Sequence, residues 1–137
     1  MKFYDFQLRV RYQETDQMGV VYYANYLTWF EVARTEFFRA MNLTYTEFEE
    51  NGIYLPVCDA YCKYLRSARY DNLLTVRVWV KALKRTKLEF GYYVFNTETG
   101  ELLTEGFTTH VFVNKEMKPL RIPDSITRTV KVIEKPE

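Results

Sequence analysis

A single run of helical spacing, inside a chain otherwise patterned as strand, limits most severely what this sequence can fold into. From Tyr22 to Met41 the apolar residues Tyr26, Phe30, Ala33 and Phe37 recur at i, i+4, i+7 and i+11. Met41 closes the series, Trp29 and Val32 widen the stripe, and Thr28, Glu31, Thr35 and Arg39 fall on the other faces. Such a helix has one broad apolar side, and burial of that side, more than intrinsic propensity, is what stabilises it in water. The rest of the chain must supply a surface for it to lie on.

That surface is a sheet. The segment from about Lys2 to Tyr12 alternates, with Leu8, Val10 and Tyr12 on one face and Gln7, Arg9 and Arg11 on the other. After the helix, Asn42-Leu43 is a break, and Thr44 with Glu47 has the spacing of a capping box starting a short second helix that ends at Gly52. Strand patterns follow over Ile53–Leu65, Leu73–Lys84, Lys87–Asn96 and Leu102–Asn114. The clearest sets Leu74, Val76, Val78, Val80 and Ala82 against Thr75, Arg77, Trp79 and Lys81. Asn96 to Gly100 reads as a hairpin loop and Lys84-Arg85-Thr86 as a tight connection. Pro119 and Pro123 interrupt pairing, after which Ile126, Val130 and Ile133 fit a terminal helix, although their alternation also permits a strand.

With no repeat, linker or low-complexity tract, residues 1–137 read as one α+β domain. The expected architecture is an antiparallel sheet of about five strands wrapped around one long helix, with a short second helix. One helix leaves an edge and aromatic surface uncovered, so a homo-oligomer is expected. Aromatic residues make up 18% of the chain, including 12 Tyr and 10 Phe, and tyrosine suits ligand walls and subunit interfaces.

Charge and cysteine content exclude several classes. A net charge of +1 argues against a nucleic-acid partner, which needs a strong basic field. No apolar run reaches the length of a membrane span, and the first residues lack the apolar core of a secretion signal. One histidine with Cys58 and Cys62 cannot complete a zinc site, so no metal is expected. Four residues apart on a strand, the two cysteines are too distant to bridge and read as buried, reduced thiols of a cytoplasmic protein.

Chemistry concentrates between Thr15 and Tyr26. Asp16 stands at the exit of the first strand, Gly19 three residues on, and the long helix starts just beyond. A helix N-terminus carries unpaired N–H groups and a partial positive charge, which can hold a developing oxyanion. A carboxylate aimed at such donors, with a glycine allowing close approach of the backbone, is a workable site for attack on a carbonyl. The same residues also suit plain turn and cap chemistry.

Three blocks resemble the hot-dog 4-hydroxybenzoyl-CoA thioesterase family, most nearly its short-chain acyl-CoA thioesterases of the Tol–Pal-associated type. They are Thr15-Asp16-Gln17-Met18-Gly19-Val20-Val21-Tyr22-Tyr23-Ala24-Asn25-Tyr26, then Tyr64-Leu65-Arg66-Ser67-Ala68-Arg69-Tyr70-Asp71, and Arg121-Ile122-Pro123. The resemblance implies a catalytic Asp16 and a backbone N–H of Tyr23 that polarises the thioester carbonyl. Many members of the Tol–Pal-associated type carry histidine where this chain has Tyr23, whereas hydroxybenzoyl-type enzymes carry tyrosine. The resemblance also implies that Lys84, Arg85 and Lys87 meet the phosphates of CoA, with Arg66 and Arg69 as a second basic group. Tyr22 and Tyr26 would wall the acyl end, Asn25 would steady the turn or contact the ligand, and Gly19 would let the loop pass near the thioester. The implied activity is hydrolysis of short-chain or aromatic acyl-CoA in a cytoplasmic dimer or dimer of dimers, peripheral association with the inner membrane being left open. CoA enters as substrate, and no cofactor is required.

Asp16 could attack the acyl carbon directly or act as general base on water. Two other classes compete: a hydratase or dehydratase, and a non-enzymatic binder or scaffold for acyl-CoA or acyl-carrier protein. Glu31 and Glu36 read as surface or interface charges pairing with Arg34 and Arg39, and His110 as a packed or hydrogen-bonded strand histidine. A Cys58–His110 nucleophile pair has no local mark of an activated thiol.

Overall fold

The computed structural model describes residues 1–136. Strand β1 (Tyr4–Arg9) leads through a single 3-10 turn (Tyr12–Glu14) to the long helix α1 (Asn25–Ala40) and the short helix α2 (Tyr45–Glu50). Strands β2 (Val57–Tyr64), β3 (Leu73–Lys84), β4 (Lys87–Asn96) and β5 (Leu102–Val111) follow, then helix α3 (Asp124–Thr129). The strands form one antiparallel sheet in the order β1-β3-β4-β5-β2, with β2 and β1 at its edges.

Strand alternation puts Leu74, Val76, Val78 and Val80 of β3 and Phe90, Tyr92 and Val94 of β4 on the inner face, all fully buried beneath α1. Fully burying a side chain of this size is worth roughly 1.5–3 kcal/mol, so this layer dominates the stability. The helix stripe Tyr26, Phe30, Ala33 and Phe37 is buried as its spacing requires. Phe30 stacks on Tyr92 with centroids 4.1 Å apart and planes 7° apart. The contact exists because β5 has a glycine beneath it: a Cβ on Gly106 would lie 2.6 Å from the Phe30 ring and 2.6 Å from the Tyr61 carbonyl oxygen.

Several expectations need correction. Tyr12 is not on the core face of β1; the strand ends at Arg9, and Tyr12 is 76% exposed in the 3-10 turn while Val10 is buried. The helix begins at Asn25, not Tyr22, because Val21 and Tyr22 still donate to Ala68 and Glu14 across the loop. Phe38, not Val32, widens its buried stripe. Strand β2 starts later than Ile53 and, lying at the edge of the sheet, is exposed at nearly every position. Cys58 on it is exposed and Cys62 half-buried, so neither is a fully buried thiol, although both are unbridged. Strand β5 stops at Val111 because Val113 pairs instead with Tyr54 and Pro119. Both readings of the terminal segment hold in turn: Ile126 is buried in α3, and Val132 then bridges Val80 in parallel.

On the outer face Trp79 lies across Gly91, and its indole N–H donates to the Glu134 carbonyl at 3.1 Å. The terminal segment thereby covers an aromatic residue the helix cannot reach. Among the described residues no helix is long and apolar enough to cross a membrane.

Candidate active site

The loop between β1 and α1 is closed by hydrogen bonds of its own backbone. Asp16 N–H donates to Val20 O at 2.9 Å and Gly19 N–H to Asp16 O at 3.0 Å, while Thr15 and Val21 form an antiparallel bridge. Gly19 has φ +77° with open space where a Cβ would stand, so left-handed conformation, not crowding within the chain, requires glycine here. The loop is clamped to the 68–72 segment: Val21 N–H donates to Ala68 O, and Val20 bridges Arg69.

Asp16 is exposed, and its Oδ1 accepts from Met18 N–H at 2.8 Å. Among the described residues its Oδ2 receives no hydrogen bond. The turn therefore fixes the carboxylate and leaves one oxygen free.

The mouth of α1 is open. Ala24 at the N-cap provides no side-chain cap, and the first turn holds no acidic residue. Tyr22 N–H donates to Glu14 O and Asn25 N–H to Tyr22 O, whereas among the described residues Tyr23 and Ala24 N–H meet no acceptor. These two donors, with the helix dipole behind them, form the positive end that an oxyanion requires. Around them the rings of Tyr22 and Tyr23 lie 4.7 Å apart, both well exposed. Tyr26 is buried, and Tyr64 of β2 packs on it at 5.2 Å and donates its hydroxyl to Tyr23 O at 3.2 Å. Asn25 turns its amide inward to donate to Glu14 O at 2.8 Å, which makes it a loop brace.

The structure divides the basic residues between two ends of the sheet. Arg66 and Arg69 lie at the Asp16 end, where Arg66 is paired with Glu101 at 3.3 Å. Lys84, Arg85 and Lys87 are exposed and, among the described residues, free of ion pairs. They sit at the far end of β3, eleven residues beyond Leu73, a span of roughly 36 Å at strand rise. Within one chain the β3–β4 turn and Asp16 are therefore not brought together.

His110 is buried and fully engaged. Thr108 Oγ1 lies 2.8 Å from its Nε2 and Leu55 O 3.3 Å from its Nδ1. Burial and the Arg34 charge pull its pKa down to about 4, so it is neutral. Neutral histidine here orders a one-way chain: Arg34 donates to Tyr92, Tyr92 to Thr108, Thr108 to Nε2, and Nδ1–H to Leu55 O. Cys58 has no part in it. Arg39 pairs with Glu36 at 3.4 Å as expected. Glu31 and Arg34 instead share the lining of two adjoining cavities of about 220 and 350 Å³, the smaller running between Leu27 and Thr28 of α1 and Val57 and Ala60 of β2.

Sequence reasoning missed Glu14. It is 6% exposed, and its carboxylate accepts from Arg11 N–H at 2.8 Å, the Arg11 guanidinium at 3.3 Å and the Trp29 indole N–H at 2.9 Å. Burial alone would raise its pKa, but these donors and the Arg11 charge outweigh it and hold the carboxyl below its ordinary value. Nothing in the spacing announces this, because Trp29 lies fifteen residues away on the helix stripe.

The sequence over residues 10–130 matches the thioesterase-like superfamily. YneP of Bacillus subtilis, a putative acyl-CoA thioesterase, is 37% identical over 116 residues, 84% of this chain and 83% of that protein. The acyl-CoA thioester hydrolase YbgC of Escherichia coli O6:H1 is 32% identical over 125 residues, 90% of this chain and 92% of its own. Among solved structures, DHNA-CoA thioesterase from Staphylococcus aureus superposes with a TM-score of 0.87 at 35% identity, covering 93% of this chain and 91% of that one. A five-stranded antiparallel sheet curled on one long helix, matched across most of its length in both sequence and shape, makes this chain a member of the thioesterase-like superfamily with the hot-dog fold.

Proposed function

We propose that this protein hydrolyses the thioester of short-chain or aromatic acyl-CoA to free acid and CoA, with Asp16 acting on an acyl carbon whose oxygen is held by Tyr23 N–H. The observation that carries this reading is the pairing of a carboxylate with one free oxygen and a helix mouth with two unpartnered donors on the same short loop. The names of YneP and YbgC support the substrate class. In the reaction, Tyr23 N–H and the positive end of α1 take up the charge that develops on the carbonyl oxygen. Asp16 supplies the other half, as nucleophile or as base on water, and the thiolate of CoA leaves.

The site is open to solvent in one chain, which supports a functional dimer. Strand β2 presents an unpaired edge beside the α1 groove, and a second copy paired there would wall the acyl group. The same assembly would let the basic turn of one chain serve the Asp16 of another. A hydratase reading is disfavoured by His110, whose two ring nitrogens are already engaged.

The test is release of free thiol from a panel of short-chain and aromatic acyl-CoAs. Asp16→Asn keeps the oxygen that accepts from Met18 and removes the free carboxylate oxygen, so the fold should persist while kcat falls about 10²–10⁴-fold. Turnover within a few-fold of wild type would refute the assignment, and tight thioester binding without turnover by wild type would favour a binding module.

A further inference from the structure

The donors at the mouth of α1 work only if that mouth points in one direction, and a single buried residue ties it down from two sides. The Glu14 carboxylate reaches back to Arg11 and across to Trp29, in the first turns of α1. The carbonyl of the same residue accepts Tyr22 N–H at 2.8 Å and the Asn25 side-chain amide at 2.8 Å. Residues 22 and 25 flank Tyr23, and Asp16 follows Glu14 by two residues. We propose that Glu14 is a positioning residue: its carboxylate locks residue 14, and through the residue-14 carbonyl sets the direction of Tyr23 N–H relative to Asp16.

The geometry leaves little freedom for substitution. Every group facing the carboxylate is a donor: a backbone N–H, a guanidinium N–H and an indole N–H. Glutamine has the same size but puts an NH2 where one oxygen was, so in either orientation a donor meets a donor. A buried donor left unpaired costs more than the net value of the bond it lost. Because Trp29 is itself 4% exposed in the core, the carboxylate has no slack to move towards a better arrangement.

This inference rests on the Tyr23 role proposed above, and two readouts separate them. In Glu14→Gln, hydrogen exchange at Tyr22 and Asn25 N–H should quicken at least tenfold while Ala33 in α1 and Tyr92 in β4 keep their protection. With acyl-CoA, kcat should fall about tenfold or more with KM within threefold. Glu14→Asp, charged but shorter, should recover part of both. A residue that only stabilised the fold would lower the melting temperature and quicken exchange everywhere, with kcat per folded molecule unchanged. Unchanged exchange at Tyr22 and Asn25 overturns the proposal, as does faster exchange with kcat intact. Should wild type turn over no acyl-CoA, the thioesterase reading fails and the exchange result alone decides for or against Glu14. Trp29→Phe, which removes the indole donor together with part of the ring's volume, gives the same local signature if Glu14→Gln does not fold.

Discussion

Adding one methyl group to β5 should move α1, and the size of the effect can be worked out from distances. In Gly106→Ala the new Cβ would lie 2.6 and 2.8 Å from two atoms of the Phe30 ring and 2.6 Å from Tyr61 O, against an ordinary contact of about 3.4–4 Å. Phe30 cannot slide away, because its other side is stacked on Tyr92 at 4.1 Å, and Tyr61 belongs to the paired strand β2. The remaining responses are for α1 to lift by about 1 Å and for β5 to shift against β2, both of which loosen packing across the inner face. Overpacking of this kind typically costs 1–3 kcal/mol, and for a chain of this length about 2 kcal/mol lowers the melting temperature by roughly 6–8 °C. A shift of the helix that carries Tyr23 should also reduce turnover, since a misplacement of about 1 Å can cost 10²-fold. Thermal and urea unfolding followed by circular dichroism, with thiol release as the kinetic readout, measure both. Phe30→Leu removes ring atoms at the clash, so combining it with Gly106→Ala should cost less than the sum of the single changes, and the deficit is the coupling. A Gly106→Ala protein that melts within 2 °C of wild type, or a strictly additive double variant, would refute the claim that this glycine sets the seat of the helix.

Two further predictions follow from the charges. Because burial holds the His110 pKa near 4 against about 6.5 unfolded, the unfolded chain binds the extra proton first as pH falls; stability is full above pH 6.5 and drops by about 3 kcal/mol towards pH 4. Urea melts at pH 7, 5.5 and 4.5 should give a flatter pH dependence for His110→Gln than for wild type, and equal slopes would refute it. Replacing Lys84 by Ala and Arg85 by Asn, a residue that tolerates the φ of +38° at that turn, should raise KM for acyl-CoA about tenfold at low salt with kcat within twofold. The difference should shrink as salt increases, and an unchanged KM at low salt would remove the β3–β4 turn from the substrate site.

What could be read in the sequence was what depends on short-range periodicity. The bounds of β3 and β4 agree with their alternation, because both strands are central and have one fully buried face. Alternation failed for β2, whose pattern promised a buried side that this edge strand does not have. The helical spacing read from Tyr22 runs three residues ahead of the helix itself, because the backbone there is still bound to Glu14 and open at Tyr23. Asp16 was legible as a loop carboxylate, but its neighbour Glu14 was not, since a bond to Trp29 is a tertiary event without local spacing. The basic turn was legible as a cluster and not as a distance, because no pattern reveals which end of a twelve-residue strand faces the loop.

The Glu14 anchor lies at the mouth of α1, and a comparison of two helix starts within the chain explains why that mouth stays open. Thr44 begins α2 in an extended conformation, φ −120° and ψ 142°, and its hydroxyl accepts from Glu47 N–H at 3.3 Å. Ala24 begins α1 already in the helical region, φ −66° and ψ −22°, where a side chain cannot turn back onto the first free N–H groups. Replacing alanine there by serine would therefore not create a cap unless the backbone changed as well. Forgoing a cap costs about 1 kcal/mol. The burial of Tyr26, Trp29 and Phe30 within the first two turns, together with the Glu14 anchor, exceeds that cost without occupying the donors. Rigid donors left without partners are what a charge developing on a thioester oxygen needs, since no reorganisation is then required as it forms.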